Sequence, residues 1–416
     1  MNNHSKLLQQ QAQWVMQACE ALGKLSQSNE YIDRRYLSQE HKAANALIAS
    51  WMQERQMITW QDAVGNIWGR LESNNPNAKS VLFGSHLDTV VNGGKYDGML
   101  GVIAPLALIS MLTDTGLELP FHIDIVGFCD EEGTRFGSTL LGSRALTGTW
   151  QKQWADLQDI DGISMRQAML DFGLDFAAVN TAKISASSLL AYIETHIEQG
   201  PVLDDKELAV GIVTAIAGAK RLQISVSGMA GHAGTVPMEN RHDALVGASE
   251  MILAVERLAR DGSIVATVGK INNSPNAVNV ISGYSEFSLD VRSEDDTERD
   301  RHLEYILQAF AEISKRRSLS LKINLTHEAP TVLCSEKLIQ QLGEASIRAN
   351  QAPNNTPFKL ISGAGHDAMA MADICEVGML FVRCDKGISH HPKETIAEQD
   401  VAATLHVLYE FISHFE

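Results

Sequence analysis

Residues 81–133 read VLFGSHLDTVVNGGKYDGMLGVIAPLALISMLTDTGLELPFHIDIVGFCDEEG. The stretch opens on an apolar run, Val81-Leu82-Phe83, that delivers His86 and Asp88 to the end of a strand. A second apolar run, Met99 to Leu112, is broken by Gly101, Pro105 and Ser110. It is too short to span a bilayer and suits a buried helix. Phe121 to Phe128 is again strand-like and ends at Asp130-Glu131-Glu132-Gly133. Strands alternating with helices in this way predict an α/β layered domain with a mostly parallel central sheet flanked by helices. Ligands of such sheets gather at the carboxyl ends of the strands, where both acidic motifs fall.

On the N-terminal side, residues 6–56 carry helical periodicity, split near Ser26–Asp33. Strand-like segments follow at Thr59–Asp62 and Asn66–Leu71. From about Ala215 to Ala329 the rhythm changes. Leu222–Ser227 reads as a strand, Arg241–Ala259 as an amphipathic helix, and Ile264–Ile271 and Tyr284–Val291 as strands. Glu298–Arg316 then reads as a helix and Leu319–Thr326 as a strand. That order, β-α-β-β-α-β, is the ferredoxin-like α+β plait. The first pattern resumes around Val377–Val382 and Val401–Ser413, so 1–214 with 330–416 is read as one discontinuous domain and 215–329 as an insertion.

Composition places limits on partners. The 416 residues are 44% hydrophobic and 20% charged, ordinary values for a globular protein with ample length for more than one domain. A formal charge of −17 argues against nucleic acid or an anionic membrane as partner. It leaves open a small anionic substrate, because a local basic pocket can oppose the global field. Five scattered cysteines without a Cys-x-x-Cys pair predict free thiols in a reducing compartment. The opening MNNHSKLLQQQAQWVMQ lacks the apolar segment of a signal peptide, and the expectation is a cytoplasmic protein.

The chemistry is carried by residues far apart in the chain. His86 and Asp88 are two apart on an extended segment and share a face, so Asp88 is expected to support the imidazole by a hydrogen bond. Asp97 follows in Gly-Gly-Lys-Tyr-Asp-Gly. Glu131 and Glu132 are adjacent after a strand; if one faces a metal, its neighbour points elsewhere and is available as a general base. His196 lies in Glu194-Thr195-His196-Ile197-Glu198-Gln199, and His390 in the loop Gly387-Ile388-Ser389-His390-His391-Pro392. Each alone has a plain structural reading: a solvated acidic turn, a core histidine, an exposed loop. Together, His86, Asp97, Glu132, His196 and His390 form an imidazole–carboxylate set without thiolate, which suits Zn, Mn, Co or Ni in a catalytic role. A carboxylate such as Asp97 is able to bridge two ions roughly 3.5–4 Å apart.

The motifs GSHLDTVVNGGKYDG, DEEGTRFGSTLLGSRALTG, HIEQGPVL, GHAGTVPM, NAVNVISG, SGAGHDA and GISHHPKE follow one another in this order. From about residue 35 to the C-terminus the chain thereby resembles the carbamoyl-amidohydrolase branch of the dinuclear aminoacylase/carboxypeptidase-like metallohydrolases. That branch holds allantoate amidohydrolases, N-carbamoyl-L-amino acid hydrolases and β-ureidopropionases.

The resemblance implies two divalent ions per subunit, Zn or Mn. His86 and His196 would hold one, Glu132 and His390 the other, with Asp97 between them and Glu131 as general base. It implies that the insertion is a dimerisation or lid domain of a homodimer, whose His232 reaches the partner's active site. Asn279 and Arg292 match the branch's binders of a substrate carboxylate, Gln199 a further substrate contact, and Gly363-Ala364-Gly365 a loop of backbone donors. Lys220 stands where much of the branch has arginine.

The implied reaction is hydrolysis of the terminal ureido group of a small carboxylic acid. Thr89–Gly94 and Tyr36-Leu37-Ser38 look most like the allantoate enzymes of purine nitrogen salvage, and Phe136–Gly148 equally like the carbamoyl-amino acid hydrolases. An aminoacylase or dipeptidase, or a metal-free dimeric binding module, are the remaining alternatives.

Overall fold

In the computed structural model, which describes residues 3–416, the run that begins at Val81 forms β3 (Ser80–His86), buried throughout. It lies between β4 (His122–Phe128) and β5 (Leu189–Ile197), parallel to both. β16 (Val377–Val382) extends the parallel set on the far side of β5. A strand covered on both faces reads as a near-continuous apolar run rather than an alternation, and these four do. Outside them the pairing turns antiparallel. β1 (Ile58–Gln61) pairs β2 (Ile67–Leu71), which pairs β4. On the other side β6 (Val210–Ile216) joins β16, and β14 (Val332–Leu333) and β15 (Lys359–Ser362) join β6. The sheet is therefore parallel at its centre, with antiparallel flanks.

Five helices share a core with the central strands: α1 (Asn3–Gly23), α2 (Gln39–Glu54), α3 (Met99–Thr115), α9 (Glu336–Arg348) and α11 (Glu398–Ser413). α3 is apolar around its whole circumference, as a helix without a solvent face must be, and it runs through Pro105 without a break. A proline inside a helix costs about 3 kcal/mol. Burial of each leucine or isoleucine beside it returns about 1.5–3 kcal/mol, so one or two of them offset the loss. Gly101 lets this helix touch the strands: a Cβ there would stand 2.3 Å from the Thr195 carbonyl oxygen and 2.6 Å from the Ser85 Cβ. The helix is thus pressed against the residues just before His196 and His86.

α2 (Gln39–Glu54) is capped by Ser38, whose side chain accepts from the His41 amide. Residues 149–188 form α5 (Met165–Phe172) and short 3-10 turns. With Tyr36, Leu141 and Trp154 they make a satellite core. The small helices α4 (Leu141–Thr147), α6 (Val202–Asp205) and α10 (Ala368–Met371) fill the connections.

The chain divides into two compact units, Met1–Thr214 with Cys334–Glu416, and Ala215–Leu333. The second unit is built on β7 (Gly218–Ser227), α7 (Ala244–Arg260), β9 (Val265–Thr267) and β10 (Ile271–Ser274). β12 (Tyr284–Ser293), α8 (Asp296–Arg317) and β13 (Ser320–Ala329) complete it. Its sheet order, β10-β12-β7-β13, is that of a ferredoxin-like plait. Burial alternates strictly along β12, and Phe287, Leu289 and Val291 pack with Met251, Ile306 and Phe310 of the two helices. α7 begins three residues later than its periodicity predicts, because the Asp243 carboxylate caps the amides of Leu245 and Val246.

One expected strand is two. β9 and β10 both pair β12, but three residues separate Thr267 from Ile271 where two separate Asp290 from Phe287. The extra residue is a bulge, closed by Ser288, whose Oγ accepts from the Lys270 amide and whose amide donates to the Lys270 carbonyl. Residues 330–333 stay with this unit because the Thr331 amide and hydroxyl donate to Asp296 at the start of α8. A two-stranded ribbon of β8 (Gly231–His232) and β11 (Val280–Ile281) carries His232 opposite Val280.

Candidate metal centre

Three parallel strands end side by side, and each releases a functional segment there. His86 is the last residue of β3 and His196 lies one residue from the end of β5. β4 ends at Phe128, two residues before Asp130-Glu131-Glu132. Asp97 stands in the loop before α3, and His390 in the loop after β16. Gly98, at φ 74°, makes room for His86: a Cβ would stand 2.4 Å from its ring.

These side chains form two groups that share Asp97: His86–Asp97–His196 and Asp97–Glu132–His390. Within each, one ligand atom per residue lies within 4.8 Å of the others. The Asp97 Oδ1 is 3.2 Å from the His196 Nε2 and 3.9 Å from the His86 Nε2. The His390 Nε2 is 3.0 Å from the Asp97 Oδ2 and 3.2 Å from the Glu132 Oε1. A third group, His86–Glu131–Glu132, is equally close.

The tautomers follow from hydrogen bonds. His86 Nδ1 lies 3.0 Å from the Asp88 carbonyl, and His196 Nδ1 lies 2.9 Å from the Ile197 carbonyl. A carbonyl only accepts, so both Nδ1 atoms carry the proton and both Nε2 atoms present lone pairs. The His196 Nε2 is buried and has no hydrogen-bond donor among the described residues, yet faces a carboxylate oxygen at 3.2 Å. Two lone-pair atoms at that distance repel unless a proton or cation lies between them. The donor set therefore fits a divalent cation of the kind that imidazole and carboxylate bind.

The electrostatics agree. Burial alone would raise the Asp97 pKa, but the hydrogen bond with His390 and the nearby His196 and His86 rings hold it well below the usual carboxylate range. The same contacts, first to Asp97 and then to Glu132, push His390 up to about 10. Burial pushes the Glu131 carboxyl well above its ordinary range; His86 opposes this, and Glu132, Asp367 and Asp88 add to it.

Asp88 does a different job from the expected one. Its carboxylate oxygens accept from the amides of Glu131 at 3.0 Å and Glu132 at 3.1 Å, and the Oδ1 is 3.8 Å from the His86 ring nitrogen. The backbone carbonyl of residue 88, not its side chain, supports the imidazole. The reason is that β3 ends at His86, so the two-residue periodicity of a strand no longer applies at 88.

Gln199 donates from Nε2 to the Asp97 Oδ1 at 3.1 Å, and its Oε1 is buried without a hydrogen-bond partner among the described residues. Gly365 also lies in this site, since a Cβ there would stand 3.8 Å from the Glu131 Oε1. In the same loop the Ala364 amide is taken by the Ser362 Oγ, which also meets the His366 Nε2 at 2.7 Å. The His366 ring packs edge-on against His196, with centroids 4.5 Å apart. Asp130, Gln199 and His390 all hold left-handed backbone, with φ of 53°, 57° and 53°.

The other predicted residues belong to the second compact unit. Asn279 accepts through its carbonyl from the Ala233 amide, next to His232 in the β8–β11 ribbon, and His232 Nδ1 accepts from the Gly234 amide at 3.1 Å. Arg292 pairs with Asp290 through Nε and Nη2, at 2.9 and 3.0 Å. Lys220 pairs with Asp300 and Glu328.

Sequence patterns missed the supports of the site. Arg34, wholly buried, donates to the carbonyls of Leu22, Leu25 and Leu87. Glu194 accepts from the Ser85 hydroxyl and the Ala368 amide. Glu394 accepts from the amides of Tyr96 and Asp97. A charged residue in an apolar setting, such as Glu194 in β5, is the one signal available in advance; Lys393-Glu394 reads simply as a solvated loop.

Residues 82–414 match the model of peptidase family M20/M25/M40. The chain is 38% identical to allantoate deiminase of Arabidopsis thaliana, over 94% of this chain and 80% of that protein. It is 39% identical to N-carbamoyl-L-amino acid amidohydrolase of Geobacillus stearothermophilus, over 92% of each. Among solved structures, an amidase of the hydantoinase/carbamoylase family from Burkholderia multivorans superposes with a TM-score of 0.89 at 29% identity, over 96% of this chain and 97% of that one. AtUAH in complex with glyoxylate superposes with a TM-score of 0.80 at 31% identity, over 97% of each. Shared fold, shared motifs and similarity along nearly the whole length lead to one conclusion: the chain belongs to peptidase family M20/M25/M40 and is a hydrolase of C–N bonds.

Proposed function

We propose that this hydrolase removes the terminal carbamoyl group of a small ureido acid, using two divalent cations, Zn or Mn, held by His86, Asp97 and His196 and by Asp97, Glu132 and His390. The observation that carries the reading is the sharing of one carboxylate, Asp97, by two imidazole-containing groups. Bound cations would supply Lewis acidity and lower the pKa of water.

The chain's own residues do the rest. Glu131, its amide fixed by Asp88, takes a proton from water as the water oxygen adds to the ureido carbonyl carbon, and returns that proton to the leaving nitrogen as the C–N bond breaks. Carbamate, or its breakdown products CO2 and ammonia, leaves. Gln199 offers its unpartnered Oε1 as an acceptor for a ureido N–H. Arg292, oriented by Asp290, and Asn279 take the substrate carboxylate; Lys220 stands opposite Val291, hence on the other face of the sheet from Arg292, where it pairs with Asp300 and Glu328 instead of facing that carboxylate. Gly363, Ala364 and Gly365 line the substrate, and His232 donates to the developing oxyanion.

Allantoate is the favoured substrate, supported by the similarity to allantoate deiminases. N-carbamoyl-L-amino acids are the second reading, supported by equal similarity to their amidohydrolases. Ammonia release from allantoate, N-carbamoyl-L-amino acids and β-ureidopropionate, compared by kcat/KM after Zn or Mn reconstitution, should rank allantoate first. A higher kcat/KM on carbamoyl-amino acids would replace allantoate, and no release from any of the three would reject the carbamoyl hydrolase reading. Five free cysteines support a cytoplasmic location.

The active species is proposed to be a homodimer in which His232 serves the partner's site. The motive is that His232, Asn279 and Arg292 lie in one compact unit and the metal-binding groups in the other. His232→Ala and Glu131→Ala proteins should each be inactive. Mixed with subunit exchange, they should regain about a quarter of wild-type activity, because half the dimers are mixed and carry one intact site of two. Verified exchange without recovered turnover would reject the shared site.

A further inference from the structure

The loops that carry Asp97 and His390 meet at one buried side chain to which the reaction gives no role. The Glu394 Oε1 accepts from the amides of Tyr96 at 2.8 Å and Asp97 at 3.1 Å, across 297 residues of chain in the second case. Its Oε2 accepts from the Ser389 hydroxyl at 3.1 Å, and that hydroxyl lies 3.4 Å from the Asp97 Oδ2. One carboxylate thus holds the backbone of the shared ligand and the residue beside His390. The loop around it is closed on itself, the Asp385 amide donating to the Thr395 carbonyl.

The fit leaves no slack. A Cβ built on Gly94 would fall 2.0 Å from the Glu394 Cδ and 2.1 and 2.3 Å from its two oxygens. These are the three nearest atoms, and the Gly94 backbone lies outside the left-handed region, so the first obstacle to an alanine there is the Glu394 carboxylate.

We propose that Glu394 is a positioning residue that clamps the Asp97 and His390 loops together, and that residue 94 is glycine to admit its carboxylate. The inference rests on the two-cation reading of the site. Carboxylates that orient metal ligands affect metal affinity by about 10–100-fold when removed, and geometry at the reacting centre depends on them.

The test is titration of the metal-free protein with Mn or Zn by calorimetry, with metal content after dialysis and kcat on the preferred substrate. Glu394→Ala should weaken one or both binding events by about 10–100-fold and lower kcat. Glu394→Gln should remain close to wild type, because its Oε1 still accepts both amides and its Nε2 donates to Ser389. Gly94→Ala leaves every buried polar group in the chain and should reproduce the Glu394→Ala defect by displacing the carboxylate. In the double variant Gly94→Ala should add nothing, since the atoms it strikes are gone.

Unaltered metal affinity in Glu394→Ala, or a Gly94→Ala penalty that persists in full without Glu394, would overturn the clamp. Wild-type protein that binds no divalent cation would overturn the two-cation reading and the clamp with it. Tight binding by wild type with unimpaired Glu394→Ala would overturn the clamp alone.

Discussion

Glu131→Gln is expected to lower turnover by a factor on the order of 10^2–10^4 or more, with the metal content unchanged. The substitution keeps the size and the backbone contact with Asp88 but removes the basic oxygen. Burial raises this carboxyl above its ordinary range, the direction that helps a general base hold the proton it takes before returning it. The adjacent Glu132 is assigned to the cation because its Oε1 sits 3.2 Å from the His390 Nε2, in the group that contains Asp97. Glu131 is close to His86 and Glu132 as well, so the two roles need an experiment to separate them. Elemental analysis of both variants does so. A Glu131→Gln protein that loses its metal, beside a Glu132→Gln protein that keeps both ions, would exchange the two assignments.

The second large effect is on metal content. Asp97→Ala should lose both ions, whereas His390→Ala should lose one, because Asp97 belongs to both groups and His390 to one. The substitution also leaves three Nε2 atoms, of His86, His196 and His390, around a vacated centre without the carboxylate they face. Removing one partner of a buried charged set costs more than the partner's own contacts, since the remaining groups stay desolvated. Two equivalents of metal retained by Asp97→Ala would sink the bridging role.

Much of this was readable in the residues themselves. The four central strands are apolar runs because both faces are covered, and apolar runs are easy to find. The His86, Asp97, Glu132, His196 and His390 set was found because each follows or ends a strand-like or loop motif with little else to do. What stayed hidden depended on where an element stops. The role of Asp88 turned on β3 ending at His86, a boundary that sequence places only within a few residues. The bulge between β9 and β10 turned on one serine, Ser288, satisfying both backbone groups of Lys270. Glu394 was illegible for a different reason: two of its partners are main-chain amides 298 and 297 residues away, and main-chain partners leave no trace in side-chain identity. In the 149–188 segment only α5 carries a period, Met165, Ala168, Met169 and Phe172 recurring on its buried face over barely two turns; the rest is 3-10 turns held by aromatic packing around Trp150, Trp154 and Phe176.

Asp130, Gln199 and His390 adopt a backbone conformation that costs a residue with a side chain about 1–3 kcal/mol and a glycine much less. An engineer seeking heat tolerance would rank such positions first for replacement by glycine. Here that rule leads into the reaction site: two of the three steps would delete an amide that touches Asp97 and an imidazole that faces it. On the proposed reading of the site, selection for a sturdier chain and selection for a working catalyst therefore pull in opposite directions at residues 199 and 390. Stabilising changes in this protein have to be sought in regions such as the satellite core around Trp154, where no such conflict exists.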